Sequence, residues 1–286
     1  MELIALDMDG TLLTSRGEIS KENAHAIKEV QQKGIKVVIA TGRSLDSAKI
    51  RLEQAELICP IISVNGAAIF LEDGTKVDST PLSLNTVHEI LTILHEKYIY
   101  CEIYTNYGTY TTDDVKQKLM VEVDYVKSIN SEQNANQLLN AVEKQNQQAL
   151  LHFVKSFDEV LSREDLEIYK ILTFSLDEKK LTEIRSKLTG MSDLFISSSA
   201  YHNIEITNTE AHKGNALRKI ADYYHIPLKK TMAIGDNMND LTMLQTAGIG
   251  VAMGNAVDEI KNICRFTTKI NDEHGVQYAI EHFTGR

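Results

Sequence analysis

Asp7 and Asp9 stand two residues apart in Asp7-Met8-Asp9-Gly10-Thr11, directly after the apolar run Leu3 to Leu6. Side chains at that spacing project to the same side of an extended chain, so the two carboxylates repel unless a cation lies between them. Gly10 permits a sharp turn after them. The segment reads either as a cation-binding pair or as an Asp/Gly turn of the kind common at strand ends. A second pair, Asp236 and Asp240, lies in Gly235-Asp236-Asn237-Met238-Asn239-Asp240, again between a strand pattern and a helix pattern. Asp240 also suits the first turn of a helix for dipole reasons alone. Thr41-Gly42-Arg43-Ser44 offers a hydroxyl, a small backbone position and exposed helix N–H groups, which suit a phosphate. The alternative is that Thr41 or Ser44 only caps the helix. In His212-Lys213-Gly214-Asn215, Lys213 stands just ahead of a helix, facing either an anion or, as most lysines do, solvent.

The elements that must position these residues follow from periodicity. Leu3 to Leu6 reads as a buried strand, Lys21 to Lys33 as a helix with Ala24, Ile27 and Val30 on one face, and Ile35 to Ala40 as a strand. Gly34 is the helix stop. Ser44 to Ala55 gives a second helix and Ile61 to Val64 a third strand, so the order βαβαβ predicts a parallel sheet. The last third repeats this type: helix Gly214 to Tyr224, strand Thr231 to Ile234, helix Asp240 to Ala247, strand Ile249 to Met253, then helices Ala256 to Cys264 and Val276 to Phe283. The middle differs. Helix Leu84–Lys97, strands Tyr98–Tyr104 and Thr109–Thr112, two looser helix and strand units, helix Glu178–Leu188, and strands Leu194–Ser198 and Asn203–Thr207 imply hairpins and antiparallel pairing. The Gln/Asn-rich stretch Asn130 to Gln148 carries Leu138, Leu139 and Val142 on a helical stripe and reads as a solvated helix. The expectation is an α/β domain made from residues 1–82 and 208–286, interrupted by an α+β module from 83 to 207.

All four motifs fall on loops flanking strands of one parallel sheet, the edge where open α/β folds collect ligands. Oxygen-only ligands from Asp7, Asp9 and Asp236 suit Mg²⁺, which takes few carboxylates and completes its shell with water and substrate phosphate.

Composition narrows the class. The chain has 286 residues, long enough for two domains, with 43% hydrophobic and 24% charged residues, which fits neither disorder nor a membrane-embedded protein. Its net charge of −10 repels polyanions, so no nucleic-acid partner is expected. Cys59, Cys101 and Cys264 form no C-x-x-C pair and imply neither a disulfide framework nor a cysteine metal site. The N-terminal residues lack a signal-peptide pattern and no run approaches a membrane span, so the expected location is cytoplasmic. No phosphate loop of the G-x-x-x-x-G-K-[ST] type, no G-x-G-x-x-G after the first strand and no H-E-x-x-H occurs. Gly248 to Gly254 reads as a close-packed strand and turn. Asn65, in Asn65-Gly66, either touches a ligand or forms the turn that Asn-Gly favours. His212 is the one histidine whose place beside Lys213 gives it interest.

Taken in order, Asp7-Met8-Asp9-Gly10-Thr11, Thr41-Gly42-Arg43, Lys213 and Gly235-Asp236-x-x-Asn239-Asp240 resemble the four motifs of the haloacid dehalogenase superfamily. The spacing resembles its Cof-type phosphatases, with a class IIB cap inserted into a Rossmann-like parallel-sheet core. The resemblance implies a Mg²⁺-dependent phosphatase acting on small phosphorylated metabolites such as sugar phosphates, with no membrane and no obligate protein partner. It implies Asp7 as nucleophile, ionised at neutral pH, forming an aspartyl-phosphate, and Asp9 as general acid and then base. It implies a metal held by Asp7, the Asp9 backbone carbonyl and Asp236, supported by Asp240. Phosphoryl oxygens would be held by Thr41, Gly42, Lys213, Asn239 and the Met8 amide. Asp9 favours phosphate esters, because the dehalogenases lack that carboxylate and the ion-pumping ATPases have threonine there. A phosphosugar mutase using the same intermediate and a non-catalytic phosphometabolite-binding protein are the alternatives.

Overall fold

The computed structural model describes residues 1–114, 118, 150–198 and 202–285, so the helix expected from Asn130 to Gln148 lies outside the described residues. In chain order the strands are β1 (Leu3–Asp7), β2 (Lys36–Ala40), β3 (Ile61–Ser63), β4 (Ala68–Phe70), β5 (Lys76–Ser79), β6 (Tyr100–Thr105) and β7 (Gly108–Thr112). They continue with β8 (Leu151–Val154), β9 (Ile168–Phe174), β10 (Leu194–Ser197), β11 (Asn203–Asn208), β12 (Thr231–Gly235), β13 (Ile249–Ala252) and β14 (Phe266–Thr267). The chain divides into two compact units, Met1–Ser79 with Ala211–Arg286, and Thr80–Glu210.

The first unit is built on one sheet in the order β14-β13-β12-β1-β2-β3-β4-β5. Strands β14 to β3 in that order pair in parallel, and β4 and β5 add antiparallel strands at one edge. β1 lies at the centre and is buried along its whole length, which is why its sequence is a continuous apolar run rather than an alternating one. Leu3, Ile4 and Leu6 are fully buried, and each such side chain contributes about 1.5–3 kcal/mol on leaving water. The helix Lys21–Gln32 starts at Ser20, whose hydroxyl accepts from the Asn23 amide at 3.2 Å, and buries Ala24, Ile27 and Val30 on its sheet-facing stripe. Register then aligns the functional edge. Asp7 lies beside Ala40 of β2 and Leu6 beside Ile234 of β12, so Thr41 and Asp236, just past their strands, arrive one residue beyond the level of Asp7. The connections run from β1 toward β2 on one side and from β12 toward β13 on the other. That reversal is the topological switch at which open α/β sheets bind ligands.

The second unit has a six-stranded sheet, β10-β11-β9-β6-β7-β8. The expected hairpins β6/β7 and β10/β11 are antiparallel, but β7 and β8 pair in parallel, a departure from a wholly antiparallel module. Parallel neighbours need a connection of a dozen or more residues, and Thr112 and Leu151 are far enough apart in sequence to allow it. Helices Leu84–Glu96 and Glu178–Thr189 pack Val87, Ile90, Leu94, Ile184 and Leu188 with Ile103, Ile171, Ile204 and Ile206 of the sheet. Residues of opposite parity carry polar groups. Glu102 accepts from the hydroxyls of Tyr100 (2.5 Å) and Tyr104 (2.8 Å), and Lys170 pairs with Glu205 at 3.3 Å. Among the described residues, no helix is long and apolar enough to cross a membrane.

Candidate active site

Asp7 ends β1 and is buried, its carboxylate only 5% exposed. The chain then turns sharply through Met8–Leu12, with Gly10 at φ +82°. A Cβ on Gly10 would lie 2.4 Å from Asp236 Oδ2, so glycine is required twice over, by backbone angle and by the carboxylate against it. The approach is held by the Thr11 hydroxyl, which donates to Asp236 Oδ1 at 3.1 Å.

Lys213 is the first residue of helix Lys213–Tyr223 and is fully buried, which overturns the surface-charge alternative for it. Its ammonium donates to Asp7 Oδ1 at 2.6 Å and to Asp240 Oδ1 at 2.7 Å. Asp240, also fully buried, accepts at Oδ2 from the backbone amides of Asp236 (2.9 Å) and Asn237 (3.1 Å). Asp240 is therefore both a helix-start residue and a fixed counter-charge: both its oxygens are occupied. His212 precedes Lys213 as the helix cap, its Nδ1 accepting from the Asn215 amide at 3.2 Å.

On the second motif, Thr41 is fully buried and its hydroxyl accepts from the Arg43 amide at 3.1 Å, while Ser44 makes no side-chain cap bond to helix Leu45–Gln54. Neither hydroxyl is a helix cap. Gly42 packs against Asn65, whose Oδ1 would lie 3.1 Å from a Cβ there, and the same Oδ1 accepts from Asn239 Nδ2 at 3.1 Å. Thr41, Gly42, Asn65 and Asn239 are thus gathered together. Gly66, the next residue after Asn65, touches the His212 backbone and links this group to Lys213. Met8 is buried at the start of the turn.

Asp9 is placed apart from the carboxylate cluster. Its side chain is 55% exposed and bound bidentately by Arg43, Nε to Oδ2 at 2.8 Å and Nη2 to Oδ1 at 2.6 Å. Arg43 also reaches the Ser47 hydroxyl at 3.2 Å. Sequence reasoning gave Arg43 no role. The available signal was an arginine immediately after a strand end that carries two other polar candidates.

Electrostatics sort these groups. Burial, then the charge of Asp240, raise the Asp7 carboxyl well above the ordinary carboxylate range, with Lys213 pulling the other way and Asp236 adding to the rise. The ion pair with Lys213 favours the ionised carboxylate against that rise. Asp236 is pushed up to about 6 by burial and then by Asp240. Burial works against charging Lys213, but Asp240 and Asp7 outweigh it and raise its pKa. The hydrogen bond to Asp9 raises Arg43 in the same way.

Asp7, Asp236 and Asp240 each offer a carboxylate oxygen within 4.8 Å of the others. Asp7 Oδ2 is buried and has no hydrogen-bond donor among the described residues. Three carboxylates against one ammonium leave an excess of two negative charges, and an all-oxygen donor set of that charge fits a hard divalent cation. The arrangement joins a buried carboxylate at a strand end to a candidate metal site, with the polar groups Thr41, Asn65 and Asn239 gathered nearby.

Residues 4–280 match the model of the haloacid dehalogenase-like hydrolases. The chain belongs to that family, and it is a phosphatase of it, a phosphoric monoester hydrolase. It is 38% identical over 283 residues to the phosphatase YwpJ of Bacillus subtilis, covering 99% of each chain. It is 37% identical over 281 residues to the 5-amino-6-(5-phospho-D-ribitylamino)uracil phosphatase YwtE of the same organism, covering 98% of this chain and 97% of that one. A solved haloacid dehalogenase-like hydrolase from B. subtilis superposes with a TM-score of 0.83 at 38% identity, covering 99% of both chains.

Proposed function

We propose that the protein is a Mg²⁺-dependent phosphatase of small phosphorylated metabolites, sugar phosphates or similar polar esters, acting through an aspartyl-phosphate on Asp7. The carrying observation is the buried Asp7 Oδ2 without a donor among the described residues, beside Asp236 and Asp240 at the carboxyl edge of the sheet. An oxygen of Asp7 attacks phosphorus and the bond from phosphorus to the leaving oxygen breaks, while Asp9 gives that oxygen its proton. Asp9 then takes a proton from water, whose oxygen attacks the phosphoryl group; inorganic phosphate leaves and Asp7 is restored. Asp7, Asp236 and the Asp9 backbone carbonyl would hold Mg²⁺, with Asp240 in support, and the bound ion would neutralise charge that otherwise keeps an anionic nucleophile from an anionic ester. Lys213, Thr41, Gly42, Asn239 and the Met8 amide are the groups for phosphoryl oxygens. Hydrolysis of phosphate monoesters calls for acceleration up to ~10²¹-fold, roughly 28 kcal/mol, so many positioned groups must share it.

The unit Met1–Ser79 with Ala211–Arg286 is read as the catalytic core and Thr80–Glu210 as the inserted cap. YwtE is named for a substrate that joins a phosphorylated ribityl chain to a uracil, which supports a polar, hydroxyl-rich phosphoester as the substrate class. The acidic net charge and the absence of a spanning helix among the described residues support a cytoplasmic protein without a nucleic-acid partner. The test is phosphate release from a panel of phosphorylated metabolites, with Mg²⁺ and with chelator. Release only with the metal, abolished in Asp7→Asn, is expected; full activity in that variant ends the nucleophile assignment.

A further inference from the structure

Three asparagine side chains donate to carbonyls of the turn that follows Asp7. Asn255 Nδ2 donates to Gly10 O at 2.8 Å, Asn271 Nδ2 to Leu13 O at 2.8 Å, and Asn23 Nδ2 to Leu12 O at 3.4 Å. Each asparagine is itself tied to the C-terminal segment. Asn255 Oδ1 accepts from the Asn271 amide at 2.9 Å, Asn23 Oδ1 accepts from the Gln277 amide at 3.0 Å, and Asp272 Oδ1 accepts from the Ser15 amide at 2.8 Å. Residues 255–277 therefore grip residues 10–15 through side chains at three points, and Asn23, itself held by Gln277, adds a fourth.

The grip falls on the most pliable point of the turn. Gly10 has no Cβ to restrict its torsions, so the planes of its flanking peptides are free to rotate unless something anchors them. One flanking peptide carries the Asp9 carbonyl, and the other carries the Gly10 carbonyl that Asn255 holds. Gly10 also lies directly against Asp236, whose carboxylate the neighbouring Thr11 hydroxyl orients. At a half-exposed turn water can satisfy a backbone carbonyl, so satisfaction alone does not require three amides tied to one segment.

We infer that Asn255 is a positioning residue for the divalent-cation site: it fixes the Gly10 peptide, and with it the disposition of the Asp9 carbonyl toward Asp7 and Asp236. This rests on the metal site of the proposed function. Asn255 touches no reacting group; it acts through the turn. Partners that orient metal-binding groups typically change affinity by about 10- to 100-fold when removed. Asn255 lies at the surface, which places the expected effect near tenfold.

Asn255→Asp separates its two bonds, because a carboxylate still accepts from the Asn271 amide and no longer donates to Gly10 O. The experiment is titration of the substrate-free full chain with Mn²⁺, free ion read by electron paramagnetic resonance, for wild type, Asn255→Asp, Asn271→Asp and Asp236→Asn, beside unfolding midpoints in chelator. The expected result is wild-type binding lost in Asp236→Asn and weakened about tenfold in Asn255→Asp. Asn271→Asp, acting on Leu13, should fall between Asn255→Asp and wild type. At saturating metal, Asn255→Asp should recover phosphate release while its half-saturating metal concentration stays raised. Unchanged Mn²⁺ affinity in Asn255→Asp, whether or not its unfolding midpoint falls, overturns the inference and leaves the metal site standing. Failure of the wild type to bind Mn²⁺, or binding indifferent to Asp236→Asn, overturns both.

Discussion

Replacing Lys213 by methionine keeps the aliphatic stem and removes the ammonium bonded to both Asp7 and Asp240. Lys213 is fully buried, so water cannot take its place without rearrangement. Breaking a buried ion pair from one side typically costs about 3–5 kcal/mol, because the partner charge is left uncompensated. For a unit of this size each kcal/mol moves the unfolding midpoint by about 2–4 °C, so the transition of the unit containing Lys213 should fall by roughly 10 °C. The pH dependence separates this from simple loss of packing. The Lys213 pKa is raised on folding, so its contribution is complete below the ordinary lysine range and constant between pH 5 and 8. Any change of the deficit in that window comes from the carboxylates. Asp7, already raised by burial, protonates more readily once the lysine is gone, so the deficit should shrink toward pH 5. Calorimetry in chelator on Lys213→Met, Asp7→Asn and the double variant is the assay. The double should lose clearly less than the sum of the singles, since Asp7→Asn removes the charge that Lys213 neutralised. Additive losses, or a single-variant deficit under about 1 kcal/mol, would refute the account of the buried triad.

Arg43 holds Asp9 by a two-point fork, so Arg43→Leu should lower kcat by about 10- to 100-fold, a part of the 10²–10⁴ that general acid–base groups contribute. Arg43→Lys should recover only some of it, because an ammonium cannot reproduce the fork; an unchanged kcat in Arg43→Leu removes Arg43 from the mechanism. Metal-free protein should lose stability as pH rises from about 4 to 6. The folded state keeps the Asp236 proton up to about 6 while the unfolded chain releases it near 3.8. Asp236→Asn should flatten that slope, and a wild-type midpoint that climbs over the same range contradicts the raised pKa. Gly10→Ala forces a methyl to within 2.4 Å of Asp236 Oδ2 at φ +82°. It should cost on the order of 1–3 kcal/mol and weaken metal binding, both measurable by the same calorimetry with and without Mg²⁺.

The sequence spoke most clearly where the physics is local. β1 is legible because a strand buried on both faces must be apolar throughout, and the helices because an apolar stripe must recur every three to four residues. β4, β5 and β14 are not, since strands of two to four residues at a sheet margin carry too few positions for any period to show. The same division runs through the site. Asp7 and Asp236 stand out because a carboxylate directly after an apolar strand is visible in one line of residues. The burial of Lys213 is not, because it depends on Asp7, 206 residues away, and Asp240, 27 residues away. Asn255 and Asn271 look like ordinary turn residues, and only tertiary contact shows that their amides answer the carbonyls of Gly10 and Leu13.

Charge accounting connects these parts. Asp9 and Arg43 form a neutral pair, whereas Asp7, Asp236 and Asp240 outnumber Lys213 by two charges. In a buried place that excess is relieved either by protons or by a cation, and upward shifts of Asp7 and Asp236 are what such an excess produces. A protonated Asp7 is a poor nucleophile. Two positive charges at Asp7 and Asp236 would oppose that rise and favour the ionised form of Asp7, so in the proposed mechanism nucleophile ionisation and metal affinity are coupled. It follows that Asp236→Asn should harm the enzyme in a specific way. Removing one negative charge lowers the Asp7 pKa, since Asp236 is one of the charges raising it, yet it also removes an oxygen of the proposed metal site. If the carboxylate served only to set the Asp7 pKa, the variant would gain activity at low pH; if it serves the metal, activity falls at every pH and responds to added Mg²⁺. A pH profile of phosphate release at several Mg²⁺ concentrations distinguishes the two, and the second pattern is expected.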